Sequence, residues 1–394
     1  MYIFSNFFFV VTGILVATLS QVRVQAQEPT NIHFEEILTL GDDERAPLKY
    51  QFAGPGAIDT DDAGNIYIAG TNNTIRVFTA QGVYKATMGG RGRGPDEFLD
   101  ITAFAVIGEG AVAINDSRLL RITLFYHFGD SSVTHALPKS WNSRIGNRRV
   151  QKNIVPLDDQ TYAISSKVRD VYFDRPASEL DNRVVHVINY DFSTFKRSYF
   201  DVYEYLFDPQ KKLERKLATD WDYRLAKLED KKVAITHEVF DGNVYIIDLS
   251  STDGSIKKVP GSFTGKERYL ELDTNKKYRK NKYYRVTRSG GVLGKFRFQK
   301  KLMSDALLSN EKWLLNFVSV NEGNKGQYYI EFYTLEGEYK GHTQIDDDFV
   351  IQEGMRTRFF PKHLDDDNNL YYVDYSSGIP VVKVAKIILD NGLN

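Results

Sequence analysis

The chain has 394 residues, with 51 Lys and Arg against 52 Asp and Glu, and no cysteine. The balanced charge lacks the basic excess of a nucleic-acid binder, and the absence of thiols excludes disulfide staples, thiolate metal sites, a cysteine nucleophile and a lipid-modified N-terminal cysteine. With 24 Tyr and 25 Phe but only 11 Pro, the composition favours packed strands over long disordered tracts.

The N-terminal stretch Phe4 to Leu19 is mostly apolar, and Val24, Gln25 and Ala26 follow at the spacing a signal peptidase accepts. Residues 1–26 are therefore expected to be a signal peptide that is removed, leaving a chain that starts near Gln27 and has no membrane span. The competing reading is an uncleaved anchor, although the apolar run is short for the ~20 residues a span needs. Export to the periplasm or the extracellular space is the expected localisation, and the missing cysteine excludes a lipoprotein.

Beyond Gln27, runs of four to nine residues rich in Val, Ile, Tyr and Phe alternate with turn residues, which is the pattern of an all-β chain. The segment Gly54 to Gly89 reads as four short antiparallel strands, Ala57–Thr60, Ile66–Ala69, Ile75–Thr79 and Tyr84–Met88, with Gly64 and Gly82 in the turns. That is one propeller blade. Five more units can be laid over the rest, beginning at Ile101, Ile154, Leu225, Asp305 and Phe359. The last has only three strands and ends in Val381–Leu389, while Ile32–Leu40 stands unattached before the first blade. Pairing these two strands would close a ring and cover two exposed sheet edges. The expected fold is thus an all-β, six-bladed propeller of four-stranded antiparallel blades closed by the N-terminal strand. It is a single domain over 27–394, with long interblade inserts near 139–153, 204–223 and 261–301.

Pro55 to Met88 resembles an NHL-type propeller repeat, and GRGRGPDEF at Gly90 to Phe98 resembles the glycine-rich junction between such blades. Together they look like the six-bladed propellers exported by Bacteroidetes-type bacteria, and the resemblance implies an exported ring without a known activity. A phosphate-loop reading of GRGRGPDEF fails because no Lys followed by Ser or Thr completes the pattern and no helix follows. Glycines that turn the chain, with Phe98 packed between sheets, explain it better.

In a propeller, the loops from second to third strand and from one blade to the next share one rim. Arg91, Arg93, Trp141, Arg144, Arg148, Arg149 and Trp221 fall on it and are the candidate ligand-binding residues for an anionic or sugar-containing ligand, because Arg forks hold oxyanions and flat rings stack on apolar faces. The bland alternative is a solvated rim whose arginines pair with the equally abundant carboxylates. Asn115, Asp116, His237, Glu238 and Asp374, with Lys167 and Asn321, sit where second strands end and are the channel candidates for a divalent cation such as calcium; otherwise no cofactor is expected. Asp59, Asp61, Asp62 and Asn65, and Asp365 to Asn368, look like fragments of a calcium loop, but turn chemistry suits them better. The expected function is an exported non-catalytic binding or scaffold module for an envelope or extracellular protein, a peptide or a glycan. The alternative is a metal-dependent propeller hydrolase or lyase.

Overall fold

The computed structural model describes residues 32–43, 45–70, 72–137, 150–158, 160–168, 182–229, 231–251, 254–272, 284–288, 295–322, 325–345 and 359–389. Six four-stranded antiparallel sheets follow one another along the chain. Blade 1 is Ile58–Thr60, Ile66–Ala69, Thr74–Phe78 and Tyr84–Gly89. Blade 2 is Ile101–Gly108, Ala111–Asp116, Arg121–Tyr126 and Ser131–Ala136. Blade 3 is Val150–Asp158, Thr161–Ser166, Arg183–Asn189 and Phe195–Asp201. Blade 4 is Tyr223–Glu229, Lys232–His237, Asn243–Asp248 and Ser255–Pro260. Blade 5 is Leu302–Ser309, Leu314–Glu322, Lys325–Tyr333 and Tyr339–Ile345. Blade 6 takes Phe359–Leu364, Asn369–Asp374 and Val381–Leu389, and its outer strand is the N-terminal Ile32–Leu40.

The closing pair is antiparallel and runs from Ile32 opposite Leu389 to Leu40 opposite Val382, with one irregularity between Glu36 and Leu38. The first strands of successive blades pack side by side, and the first strand of blade 6 packs against that of blade 1. The ring is complete, a six-bladed β-propeller around a central channel.

Burial explains why the strands read as they do. A blade is sandwiched between two others, so its second strand is covered on both faces; every residue of Ile66–Ala69 and of Thr161–Ser166 is buried. Such strands show continuous apolar runs rather than alternation. Outer strands meet solvent and are mostly exposed, as in Ser131–Ala136 and Ser255–Pro260. The core is accordingly divided into wedges between neighbouring blades. Ile75, Val77 and Phe98 meet Phe104, Val112 and Phe125 between blades 1 and 2, and Leu40, Phe52 and Phe78 meet Val373, Val382 and Val384 where the ring closes. Phe98 is fully buried, as the junction reading expects, and Gly89 is required there: its φ is +80° and a Cβ would stand 2.7 Å from the Phe98 ring.

The acidic stretches at 59–65 and 365–368 are turns. Asp61 Oδ1 accepts the backbone N–H groups of Ala63 and Asn65, at 3.1 and 2.8 Å, and Oδ2 accepts the Tyr67 hydroxyl at 2.7 Å. Asp365 repeats the arrangement with Asp367, Asn369 and Tyr371. The shared spacing is Asp-x3-Asn-x-Tyr. Tyr67 is fully buried and its oxygen also accepts the Gly110 N–H of blade 2 at 2.9 Å, so the turn fastens one blade to the next. Asp61→Ala would leave several buried donors without an acceptor and is expected to cost about 3 kcal/mol or more in chemical denaturation. Adding Tyr67→Phe to that variant should cost less than Tyr67→Phe does alone, because the partner is already gone; strictly additive losses would refute the coupling.

Two segments read as interblade loops contain regular structure. Between blades 3 and 4 lie helix α1, Val202–Tyr205, and helix α2, Lys212–Asp220. Asp201 caps the first by accepting the Tyr203 N–H at 2.9 Å. The second buries Leu213 and Leu217, one turn apart, against blades 3 and 4. Between blades 4 and 5 stands a separate three-stranded sheet, Tyr269–Glu271, Lys295–Lys300 and Tyr284–Arg288 in spatial order.

Candidate functional site

In a blade of four antiparallel strands, the start of the first strand, the end of the second, the start of the third and the end of the fourth lie on one side. This upper face therefore receives both structured insertions, and both stand at blade 4, one entering it and the other leaving it.

The charged side chains here form a continuous network. Lys167, just past the second strand of blade 3, reaches Asp222 Oδ1 at 2.8 Å and donates to the Asp220 carbonyl at 2.9 Å. Arg224, on the first strand of blade 4, lies 3.7 Å from Asp222 and 3.8 Å from Glu238. Glu238, just past the second strand, accepts from Lys300 Nζ at 2.5 Å. Lys300 is 1% exposed and stands over the Trp221 ring, 3.5 Å from its centroid. Burial pushes the Glu238 carboxyl up, but the Lys300 ammonium and Arg224 guanidinium outweigh it and hold the group down to about 2.

His237 ends the second strand of blade 4 and is buried between the rings of Phe207 and Tyr223, each with its centroid 4.8 Å away. Burial holds its ring down to about 3, so it is neutral at physiological pH. Phe207 also lies under Arg268, whose Cζ is 4.8 Å from the ring centroid. The Arg268 carbonyl accepts the N–H groups of Lys301 and Leu302, at 3.0 and 3.2 Å, and Arg268 Nη2 lies 3.3 Å from Glu214 of helix α2. The two insertions thus meet blade 4 through Arg268, Glu214 and His237.

Asn115 donates to Thr102 Oγ1 at 2.6 Å, and Asp116 accepts the N–H groups of Leu99, Arg118 and Leu119, at 2.7, 2.9 and 3.0 Å. Asp374 accepts from Ser376 and lies 3.4 Å from Lys383. Asn321 donates to the Lys300 carbonyl at 3.3 Å. Asp116, Asp374 and Asn321 are occupied by hydrogen bonds of their own blade or junction, whereas Asn115 Oδ1 is buried without a hydrogen-bond partner; among the described residues no group of three or more His, Asp or Glu is placed to hold a metal ion. Of the channel set, Lys167, His237 and Glu238 join the blade 4 network. Of the rim set, Trp221 belongs to it, whereas Arg91 and Arg93 are exposed on the junction between blades 1 and 2. Trp141, Arg144, Arg148 and Arg149 lie outside the described residues.

Sequence reasoning missed Arg224, Arg268 and Lys300. Arg224 shares the strand YRLAKLE with Lys227 and Glu229, and its place at the strand end that pairs beside His237-Glu238 was the available signal. Arg268 and Lys300 are 32 positions apart and meet only because the inserted sheet folds back on itself.

The opposite mouth of the channel carries a smaller cluster. Asp59 Oδ2 accepts the Val106 N–H of blade 2 at 2.8 Å, and its Oδ1 lies 3.2 Å from His363 Nδ1 of blade 6. His363 Nε2 is 2.8 Å from Thr60 Oγ1. These bonds tie the first strands of blades 6, 1 and 2 together.

A family model, DUF5128, described as a 6-bladed beta-propeller, matches residues 51–137. Comparison with curated proteins gives no match. Among solved structures, a member of the duf4221 family from Bacteroides vulgatus superposes with a TM-score of 0.59 at 9% identity, covering 92% of this chain and 99% of that one. A candidate exported protein from Bacteroides fragilis superposes with a TM-score of 0.51 at 13% identity, covering 94% and 98%. At such identities the likeness shows the fold, and it agrees with the topology: the chain is a six-bladed β-propeller like these Bacteroides proteins.

Proposed function

We propose that the chain is an exported, non-catalytic binding or scaffold propeller that holds a protein, peptide or glycan partner on its upper face. The observation that carries this reading is the pair of structured insertions, both on that face at blade 4, with Arg, Lys and aromatic side chains beneath them. Loops on a rigid scaffold are where recognition is usually built. The N-terminal apolar stretch and the exported-protein description of the Bacteroides fragilis neighbour support export; no helix among the described residues is long and apolar enough to cross a membrane. Against the alternative of a hydrolase or lyase with a channel cation stands the chemistry of the acidic groups. Glu238 is already neutralised by Lys300 and Arg224, and Asp116 by three backbone N–H groups, so a cation would have to displace bonds that exist.

The chain starting at Gln27 should bind members of glycan or peptide arrays in a salt-sensitive way, since exposed charges are screened beyond about 8 to 10 Å. Trp221→Ala, or Arg148→Ala with Arg149→Ala, should weaken that binding by about tenfold or more while Ile37→Ser, on the outer strand of blade 6, leaves it unchanged. Equal binding by all variants would reject the upper face. A stoichiometric cation that survives purification and is lost with chelator, found by elemental analysis, would favour the enzyme.

A further inference from the structure

Several strong donors at the upper edge of blade 4 have no acceptor. Arg224 Nε and Nη1, Arg268 Nη1 and His237 Nε2 are all buried and make no hydrogen bond, although Arg224 Nη1 stands 3.7 Å from the Asp222 carboxylate. His237 is decisive, because its side chain is 1% exposed and its tautomer follows from the other nitrogen. Nδ1 lies 3.0 Å from the Val239 N–H and 3.3 Å from the Val239 carbonyl. The shorter contact makes Nδ1 the acceptor, which puts the ring proton on Nε2, where it points at nothing. A buried unsatisfied donor costs about 1–3 kcal/mol, and more on a charged group, so a set of them in one place marks a site for an acceptor-rich group.

The donors belong together. His237 and Arg268 share the Phe207 ring, and Arg224 and Lys300 share Glu238, the residue after His237. Val239 bridges to Met303, which holds the strand ends of blades 4 and 5 beside each other. The charges decide the ligand class. Lys167, Lys211, Arg224, Arg268 and Lys300 face Glu214, Asp222 and Glu238, leaving two positive charges in excess. A carboxylate lowers that excess, is small enough for a nearly buried edge and takes an Arg fork bidentately. The side chains of Arg224 and Arg268 are 12% and 16% exposed, so the site lies just below the surface of the upper face.

We propose that Arg224, Arg268 and the Nε2–H of His237 form a carboxylate-binding site on the upper edge of blade 4, beneath helix α2 and the inserted sheet. The site rests on the binding reading only for its choice of face. It would take the carboxylate of a uronic sugar or of a peptide C-terminus by the same contacts.

Acetate, glucuronate and N-acetyl-dialanine, with acetamide, glucose and the dialanine amide as neutral counterparts, should be titrated into the chain starting at Gln27 at constant ionic strength. The acids are expected to bind saturably and to compete with one another, and the neutral compounds not to bind. Tighter binding of glucuronate or of the peptide acid identifies the source. Arg224→Lys keeps the charge but removes the fork and should weaken binding by about tenfold to a hundredfold. In the unmodified protein, nitrogen NMR of the histidines should show His237 as the Nε2-protonated tautomer, with its Nε2–H signal moving on addition of acid; this readout survives even where a variant misfolds. An Nδ1-protonated His237, or saturable binding by none of the acids with water alone filling the site, overturns the proposal. Failure of the array experiment with acetate binding intact would instead remove the partner reading and leave this site standing.

Discussion

Removal of residues 27–40 is expected to lower the melting temperature by about 5 to 10 °C and to make the protein self-associate. The lost strand is the outer strand of blade 6, paired along its whole length with Val381–Leu389. Leu40 is 5% exposed and packs with Phe52, Phe78, Val382 and Val384, while Ile32, Phe34 and Leu38 are partly buried against blade 6. At about 1.5–3 kcal/mol for each fully buried apolar side chain, and less for the partly buried ones, the loss amounts to about 5 kcal/mol. About 1–2 °C of melting temperature per kcal/mol for a chain of this size gives the stated shift. Val381–Leu389, apolar at most positions, would then become an uncovered edge, which explains the self-association. A synthetic peptide of residues 31–41 added in trans should restore both the melting temperature and the monomer. Leu40→Ala alone should cost about 2–5 kcal/mol through the cavity it leaves in the closing wedge. A truncated chain that melts like the full one would show that the ring does not depend on this pairing.

The closure was legible in the sequence because both of its strands carry their own signal: a nine-residue run with few breakers at each end of the chain, and a last blade one strand short. The Asp-Asp-Ala-Gly and Gln-Gly turns of blade 1 fixed its register to within a residue, since only a few positions there tolerate positive φ. What escaped was local structure without periodicity of its own. Helix α2 has nine residues and three buried apolar positions, Leu213, Leu217 and Ala218, too few to stand out against loop composition, and it is held by the wedge between blades 3 and 4. The inserted sheet escaped because its strands are rich in Lys, Arg and Tyr and its first has three residues. The candidate site suffered most. Loop assignment pointed to the upper face, where Trp221 stands, and second-strand ends supplied His237 and Glu238 of the blade 4 network. Whether a buried Arg meets a carboxylate or an unfilled space, however, depends on pairings such as Arg268 with Glu214, which join insertions 54 positions apart.

Glu331 should make stability fall as the pH rises above the ordinary carboxylate range. It sits on the third strand of blade 5, fully buried, where Oε1 accepts the Ser262 N–H and hydroxyl at 2.8 and 3.0 Å and Oε2 accepts from Asn316 Nδ2 and Tyr333 OH, each at 3.0 Å. Asn316 Oδ1 in turn accepts from Ser304, whose hydroxyl meets that of Thr236, so a polar seam crosses from blade 4 into blade 5. Four donors favour the ionised carboxylate, but burial outweighs them and raises the carboxyl above its usual value of 4.5. The sign follows: in the interval between that value and the raised one, the folded state keeps a proton that the unfolded chain has released. Stability is therefore full below the lower value and declines as the pH climbs through the interval, then levels off. Glu331→Gln removes the titration and places an NH2 where two donors already point, which costs about 1–3 kcal/mol. The gap between wild type and Glu331→Gln in urea denaturation should thus be widest near pH 4 and narrow towards pH 8. A gap that widens with pH would mean that the four donors prevail over burial and that the buried group is ionised in the folded protein.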